Sequence, residues 1–383
     1  MKNKALILST GLAMFSMFFG SGNLVFPLMV GQTSQGHFGI AALGILLTGV
    51  LVPFLGVFAM LLFKGNSNDF FIRFGKPACF WFPLIALSLM GPFGVLARCI
   101  TVAHGAFKLV SPETSLWVFS LISCGVLFFL SIKKNRIIPV LGSILTPFLL
   151  ISLVAIVLFA LNSAPIPFAE SWKGAWSSFN QGIIQGYQTM DLLAAFFFSI
   201  FIIKHLQDHK GLQENPARSI PVFLKASLVG AGLLSAVYFA LVIMGAVYAT
   251  ELSAIPPQEM LGFIAQKTLG PWAAPIVSIA IILACLTTAI ILTSLFADFL
   301  RKEVTKNKIP SSLAVIITLG IAFFTSTLEF SGIARFITPI LTVIYPALIV
   351  LTVVSIFEKL WGWKMIRVPT AIAFVLKLFS MAI

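Results

Sequence analysis

Three clusters of polar or helix-breaking residues sit inside apolar runs where ordinary packing would exclude them. Residues 18–27 read Phe-Phe-Gly-Ser-Gly-Asn-Leu-Val-Phe-Pro, which puts Gly20, Ser21, Gly22 and Asn23 near the middle of the first run. Glycine weakens a helix by about 1 kcal/mol relative to alanine, and an asparagine amide in hydrocarbon needs a bond or a cavity. A small-residue packing face would account for the glycines alone; Asn23 directly after Gly22 favours a break in the helix. A second cluster, Gly186-Tyr187-Gln188-Thr189-Met190-Asp191, ends in the one carboxylate deep within any run. A mid-membrane Asp costs roughly 2.5–3.5 kcal/mol on insertion scales and is a functional group by default. Two other roles stay open for it: structural partner of the intramembrane Arg98, or N-cap of the helix that follows.

The third cluster is Ala284-Cys285-Leu286-Thr287-Thr288. Ala284, Thr287 and Thr288 share one helix face by their spacing of three and four. Two hydroxyls and a carbonyl on one face suit a small hard cation; the alternative is that both threonines bond back to their own helix. Broken helices give such residues a purpose. Half-helix N-termini present unpaired N–H groups to an anionic group such as a carboxylate. Unwound carbonyls, having lost their helical partners, can coordinate Na⁺ near the midplane.

The elements that must position these groups are membrane helices. Of the 383 residues, 59% are apolar and only 10% charged; soluble domains carry about 25% charged residues. Continuous apolar runs at about 5–30, 39–63, 78–103, 114–132, 137–161, 181–203, 221–249, 270–299, 311–328, 333–357 and 367–383 predict some eleven spanning helices, and their lack of apolar–polar alternation argues against barrel strands. The first run follows Met-Lys-Asn-Lys, but its length and the absence of a small-residue cleavage site make it a retained helix. The chain reads as one transmembrane domain without a soluble appendage.

The two interrupted runs are the first and the sixth, and they enter from opposite sides. That is the arrangement produced by a five-helix unit repeated in inverted orientation: residues 5–161 form the first repeat, 181–357 the second, and 367–383 an incomplete C-terminal extension. Thr146-Pro147 and Thr338-Pro339 echo one another in the fifth and tenth runs.

A formal charge of +13 would fit a nucleic-acid partner, but position decides otherwise. Nineteen of the 25 Lys and Arg fall in one set of alternate loops and four in the other, the asymmetry that keeps basic loops cytoplasmic. The N-terminus is therefore placed inside, and a nucleic-acid role is excluded. Cys79, Cys99, Cys124 and Cys285 show no CxxC spacing and read as free thiols, and the four histidines make no HExxH pattern. No GxxxxGK[ST] occurs, so nucleotide-driven work has no site. Acid–base catalysis by Asp191 would need a second polar group, and no span carries a mid-membrane His or further carboxylate. The chain is not read as an enzyme, and no cofactor beyond a coupling ion is expected.

Residues 18–27 are similar to the FFGAGNLIFP signature of the bacterial branched-chain amino acid:cation symporters, the branched-chain amino acid carrier II family. Residues 186–191 match that family's GYxTMD pattern, residues 284–289 resemble its ACLTTA, and Gly91-Pro92-Phe93 with Arg98 resembles its third-helix segment. The resemblance implies an all-α, LeuT-type fold with discontinuous helices 1 and 6, importing Leu, Ile or Val with Na⁺ or H⁺ by alternating access. It implies a multi-pass protein of the bacterial cell (inner) membrane, whose partners are a small neutral amino acid, a coupling cation and the lipid bilayer. By the same likeness, Gly20, Ser21, Gly22 and Asn23 meet the substrate carboxylate. Gly186, Tyr187, Thr189 and Asp191 line the substrate from the sixth helix, Asp191 facing its amino group. A Na⁺ would lie among Ser16, Phe19, Ala284, Thr287 and Thr288. The chain departs from the family in Ala97-Arg98-Cys99, where Pro-Arg-Thr is usual, in Gly105, where a glutamate is expected, and in ending during the eleventh of about twelve spans. A carrier for another neutral amino acid or amine, a channel, and a non-transporting membrane sensor are the alternative readings.

Overall fold

Glycine and proline divide the long apolar runs into shorter helices, and those divisions organise the molecule. The structure is a computed structural model that describes residues 2–132, 150–163, 174–207, 219–270, 272, 274–362, 369–372 and 374. The first half of the fifth predicted span with Thr146-Pro147, and most of the C-terminal run 367–383, lie outside the described residues. Every described element is helical.

The first run folds as α1 (Lys2–Phe18) and α2 (Ser21–Ser34), separated at Phe19-Gly20. Gly20 is extended there, at φ −122° and ψ −167°. The second run comprises α3 (Phe38–Leu46) and α4 (Val52–Leu62), joined by a wider turn at Leu47–Leu51. A short α5 (Ser67–Phe71) follows, N-capped by the Asn66 side chain. The third run, predicted continuous, is also divided: α6 (Ala78–Met90) stops at Gly91 and α7 (Val95–Phe107) starts after Gly94. Proline cannot continue a helical ladder, and Pro92 sits in this gap between the two glycines.

Beyond it run α8 (Leu116–Ile132) and α9 (Leu150–Asn162). The sixth run gives α10 (Ala175–Gln188) and α11 (Asp191–Gln207), parted at Thr189-Met190. Then come α12 (Ser219–Val247), the short α13 (Ala249–Leu252), α14 (Met260–Leu269), α15 (Ala274–Phe299), α16 (Ser311–Ser326) and α17 (Glu329–Trp361). Among the described residues, five stretches, Ser21–Leu62, Ala78–Phe107, Ile220–Val247, Pro275–Val304 and Glu329–Trp361, are long and apolar enough to cross a membrane by length and composition.

Two packed groups emerge. α1 and α2 lie along α12, α3 lies on α10, and α4 on α11. The second group unites α7, α8, α15 and α16, while α17 touches members of both. Helices in lipid gain little from apolar burial and associate instead through close backbone approach. Gly182 and Gly186, four apart on α10, serve this purpose: a Cβ on Gly182 would lie 3.0 Å from the Ile45 N, and one on Gly186 would lie 2.9 Å from the Gly49 N. On α1, a Cβ on Gly11 would lie 2.8 Å from the Ala226 carbonyl of α12.

Candidate functional site

The breaks in the first and sixth helices meet. Gly22, one residue into the first turn of α2, makes this possible: a Cβ there would lie 3.6 Å from the Thr189 Cα. Met190 completes the second break at φ +60°, a left-handed conformation that for a non-glycine residue costs on the order of 1 kcal/mol or more and clusters at functional sites.

Asn23 joins the two. Its carbonyl oxygen accepts the Gly20 N–H at 3.0 Å, satisfying a donor that the break leaves without a helical partner. Its amide nitrogen donates to Asp191 Oδ2 at 2.7 Å and to the Tyr238 hydroxyl at 2.5 Å. Tyr238, on α12, donates in turn to Asp191 Oδ2 at 3.2 Å. All three side chains are buried. Asp191 is the first residue of α11, at the helix end that favours a carboxylate. Thr189 supports the turn: its hydroxyl donates to the Gly186 carbonyl at 2.9 Å and accepts the Asp191 N–H at 3.4 Å.

Arg98 is not the partner of Asp191. Its guanidinium, on α7, donates to the Gln188 main-chain oxygen at 2.8 Å and to Gln188 Oε1 at 2.5 Å. The Gln188 amide donates onward to Thr338 on α17. Arg98 therefore closes the C-terminal end of α10, where orphan carbonyls carry partial negative charge.

The remaining candidates fall around this centre. Ser21 is buried, and its hydroxyl accepts a hydrogen bond from the Cys99 thiol at 3.4 Å. Tyr187 packs its ring 4.9 Å from that of Tyr345. Gly186 is the packing position against the second span described above. Thr287 and Thr288 donate to the Ala284 carbonyl at 2.8 and 3.3 Å, so the back-bonding expected as an alternative is present. Thr288 nonetheless borders the first break: a Cβ on Gly20 would meet its Cγ2 at 3.5 Å and its Oγ1 at 3.6 Å. Phe19 is buried beside this point, stacked on Phe15 at 5.0 Å, and Ser16 lies one turn below on α1.

Tyr238 and Tyr345 do not stand out in the sequence, and Gln188 and Thr338 stand out only as members of motifs, not as partners of one another. The signal that could have found the two tyrosines is scarcity: the chain has 38 Phe but only four Tyr, and Tyr187, Tyr238 and Tyr345 are three of those four. One cavity lies elsewhere, among the described residues. About 460 Å³ in volume, it is walled almost wholly by apolar side chains such as Trp81, Phe82, Leu89, Ile344 and Leu348, with no charged residue in its lining.

Residues 3–382 match the profile of the family described as branched-chain amino acid transport protein. The branched-chain amino acid permease BrnQ of Corynebacterium glutamicum is 32% identical over 362 residues, covering 94% of this chain and 82% of that one. The branched-chain amino acid transport system 3 carrier protein of Pseudomonas aeruginosa is 30% identical over 363 residues, covering 93% and 81%. Permease BraB of Bacillus subtilis is 30% identical over 370 residues, covering 92% and 80%.

Among solved structures, the inward-facing conformation of Mhp1 superposes with a TM-score of 0.65 at 13% identity, over 92% of this chain and 77% of that one. Mhp1, a nucleobase-cation-symport-1 family transporter, in a closed conformation with bromovinylhydantoin bound gives 0.61 at 13% identity, over 98% and 92%. That identity speaks to fold alone, and the fold is the LeuT-type one expected.

Proposed function

The chain belongs to the branched-chain amino acid transport protein family, and from that membership we propose that it is a secondary active symporter. It imports leucine, isoleucine or valine with Na⁺ or H⁺ by alternating access. The observation that carries this reading is the meeting of the two breaks, with Asn23 bonded to Asp191 at 2.7 Å. A simple anchor has no use for two interrupted helices that touch at their interruptions; a carrier needs such a place for its cargo.

In this reading the substrate carboxylate lies toward the N-terminus of α2, formed by Gly20 to Asn23, where a helix end favours an anion. The ammonium group lies toward Asp191. Tyr187 and Thr189 line the sixth-helix side, and Gly186 holds that side close to the second span. The coupling ion, if Na⁺, takes the Ala284 carbonyl and the hydroxyls of Thr287 and Thr288 on one side and unwound carbonyls near Ser16 and Phe19 on the other. Hydroxyls that now donate to Ala284 keep oxygen lone pairs for a cation. The protein sits in a bacterial cell membrane with a cytoplasmic N-terminus, in keeping with the excess of basic residues on one set of loops.

Counterflow tests the substrate assignment. Proteoliposomes preloaded with unlabelled leucine should accumulate external labelled leucine, isoleucine or valine, and should ignore lysine and glutamate. Exchange of none of the three by folded protein would sink the proposal.

A further inference from the structure

Arg98 and Asp191 are both buried, with relative exposures of 1% and 4%, and among the described residues neither forms an ion pair. Asp191 is held by two neutral donors, Asn23 and Tyr238. Arg98 is held by the two neutral oxygens of Gln188. Among the described residues the ion pairs join Arg73 to Glu358, Lys108 to Glu259 and Lys267 to Glu251, and none includes Arg98. Its Nε is buried and donates to nothing among the described residues. A buried ion without a counter-charge loses several kcal/mol of hydration, and a helix C-terminus returns only about half an elementary charge.

We propose that Arg98 is the counter-ion for the carboxylate of the transported amino acid. The proposal rests on the reading of the broken helices as an amino-acid site and adds a substrate-recognising residue to it. Position supports the assignment. Cys99, the next residue of α7, touches Ser21 at the start of α2. Gln188 immediately precedes the Thr189-Met190 break. The rings of Phe26 on α2 and Phe330 on α17 lie 5.1 and 5.5 Å from the guanidinium carbon, holding it by cation–π attraction and excluding water.

The guanidinium thus stands beside the second break, with the group it contacts three residues from Asp191 along the chain, while its neighbour Cys99 touches α2 next to the first break. A zwitterion supplies what each lacks: its carboxylate answers Arg98 and its ammonium answers Asp191. The planar fork of arginine suits a carboxylate, which can take over N–H donors that Gln188 now occupies.

The test compares leucine with leucinol, which keeps the amine and the side chain but has no carboxylate. Binding is read as ligand-induced thermal stabilisation of the purified full chain in detergent. The wild type should prefer leucine by roughly 10- to 100-fold. Arg98→Gln should remove that preference while leucinol still binds, which also shows that the variant is folded. Arg98→Lys, which keeps the charge but not the fork, should weaken leucine more than leucinol. A variant that weakens both ligands equally, or that keeps the wild-type preference, overturns the proposal and leaves Arg98 a structural clamp on α10. A wild type that binds none of leucine, isoleucine or valine removes the branched-chain reading itself, and this inference with it.

Discussion

Asn23 and Asp191 lie 168 residues apart in the chain, and the Asn23 amide donates to Asp191 Oδ2 at 2.7 Å. One hydrogen bond thereby ties the break in the first helix to the break in the sixth. The same asparagine caps Gly20 through its other end, so conformational change in either helix is felt by the other.

Asp191→Asn tests the role of charge at this junction. The amide keeps the size of the carboxylate but cannot pair with the substrate ammonium. A charge-assisted bond is worth about 1.5–3 kcal/mol, so the variant should bind leucine at least about tenfold more weakly. Direct binding measurements check this, with circular dichroism to confirm an intact helical fold.

Tyr238→Phe removes one hydroxyl and leaves the ring. Asp191 then keeps Asn23 but loses the 3.2 Å bond from Tyr238. The Asn23 amide also loses the Tyr238 oxygen as an acceptor but keeps Asp191, so a smaller effect follows than for Asp191→Asn: about three- to tenfold in the transport KM, at about 1 kcal/mol for the bond lost to the carboxylate. An unchanged KM would show that Tyr238 takes no part in holding the carboxylate.

Glycines at two depths should answer differently to the same change. At Gly186, on the face packed against the second span, an added methyl would run into Thr48 and Gly49. Gly186→Ala should lower the melting temperature in detergent, with overpacking of this kind costing about 1–3 kcal/mol. Gly232 on α12 has open space around its Cα, and Gly232→Ala should be neutral or slightly stabilising, since alanine is the better helix former.

Much of this arrangement was legible in the sequence because it rests on rare residues in costly places. Glycine, asparagine and aspartate inside apolar runs marked both breaks, and the helices do part at Gly20 and at Met190. The break in the third run escaped notice, although Gly91-Pro92-Phe93-Gly94 carries the residues that cause it; a purely apolar count passes over glycine and proline. Partner choice was less legible still. Nothing in the spacing told that Arg98 would meet Gln188 and leave Asp191 to Asn23 and Tyr238. Those pairings depend on which helix faces pack together, and apolar runs that are hydrophobic all round do not declare their faces.

Thr288→Ala removes a hydroxyl beside the first break, 3.6 Å from where a Gly20 Cβ would stand. The backbone of α15 has no need of that side chain, so thermal stability should hold within about 0.5 kcal/mol, the range of most substitutions outside special contacts. Dependence of uptake on Na⁺ should weaken by about tenfold or more. Unchanged Na⁺ activation would remove α15 from the ion site.

Accumulation under an imposed gradient bears most directly on the reading of this chain as a cation-coupled carrier. Proteoliposomes holding the purified protein are given labelled leucine with an inward Na⁺ gradient, with an inward proton gradient, or with neither. Transient accumulation above the external concentration is expected under at least one gradient, collapsing when that gradient is dissipated. Leucine that never rises above equilibrium under either gradient, with protein shown to be folded, would contradict it.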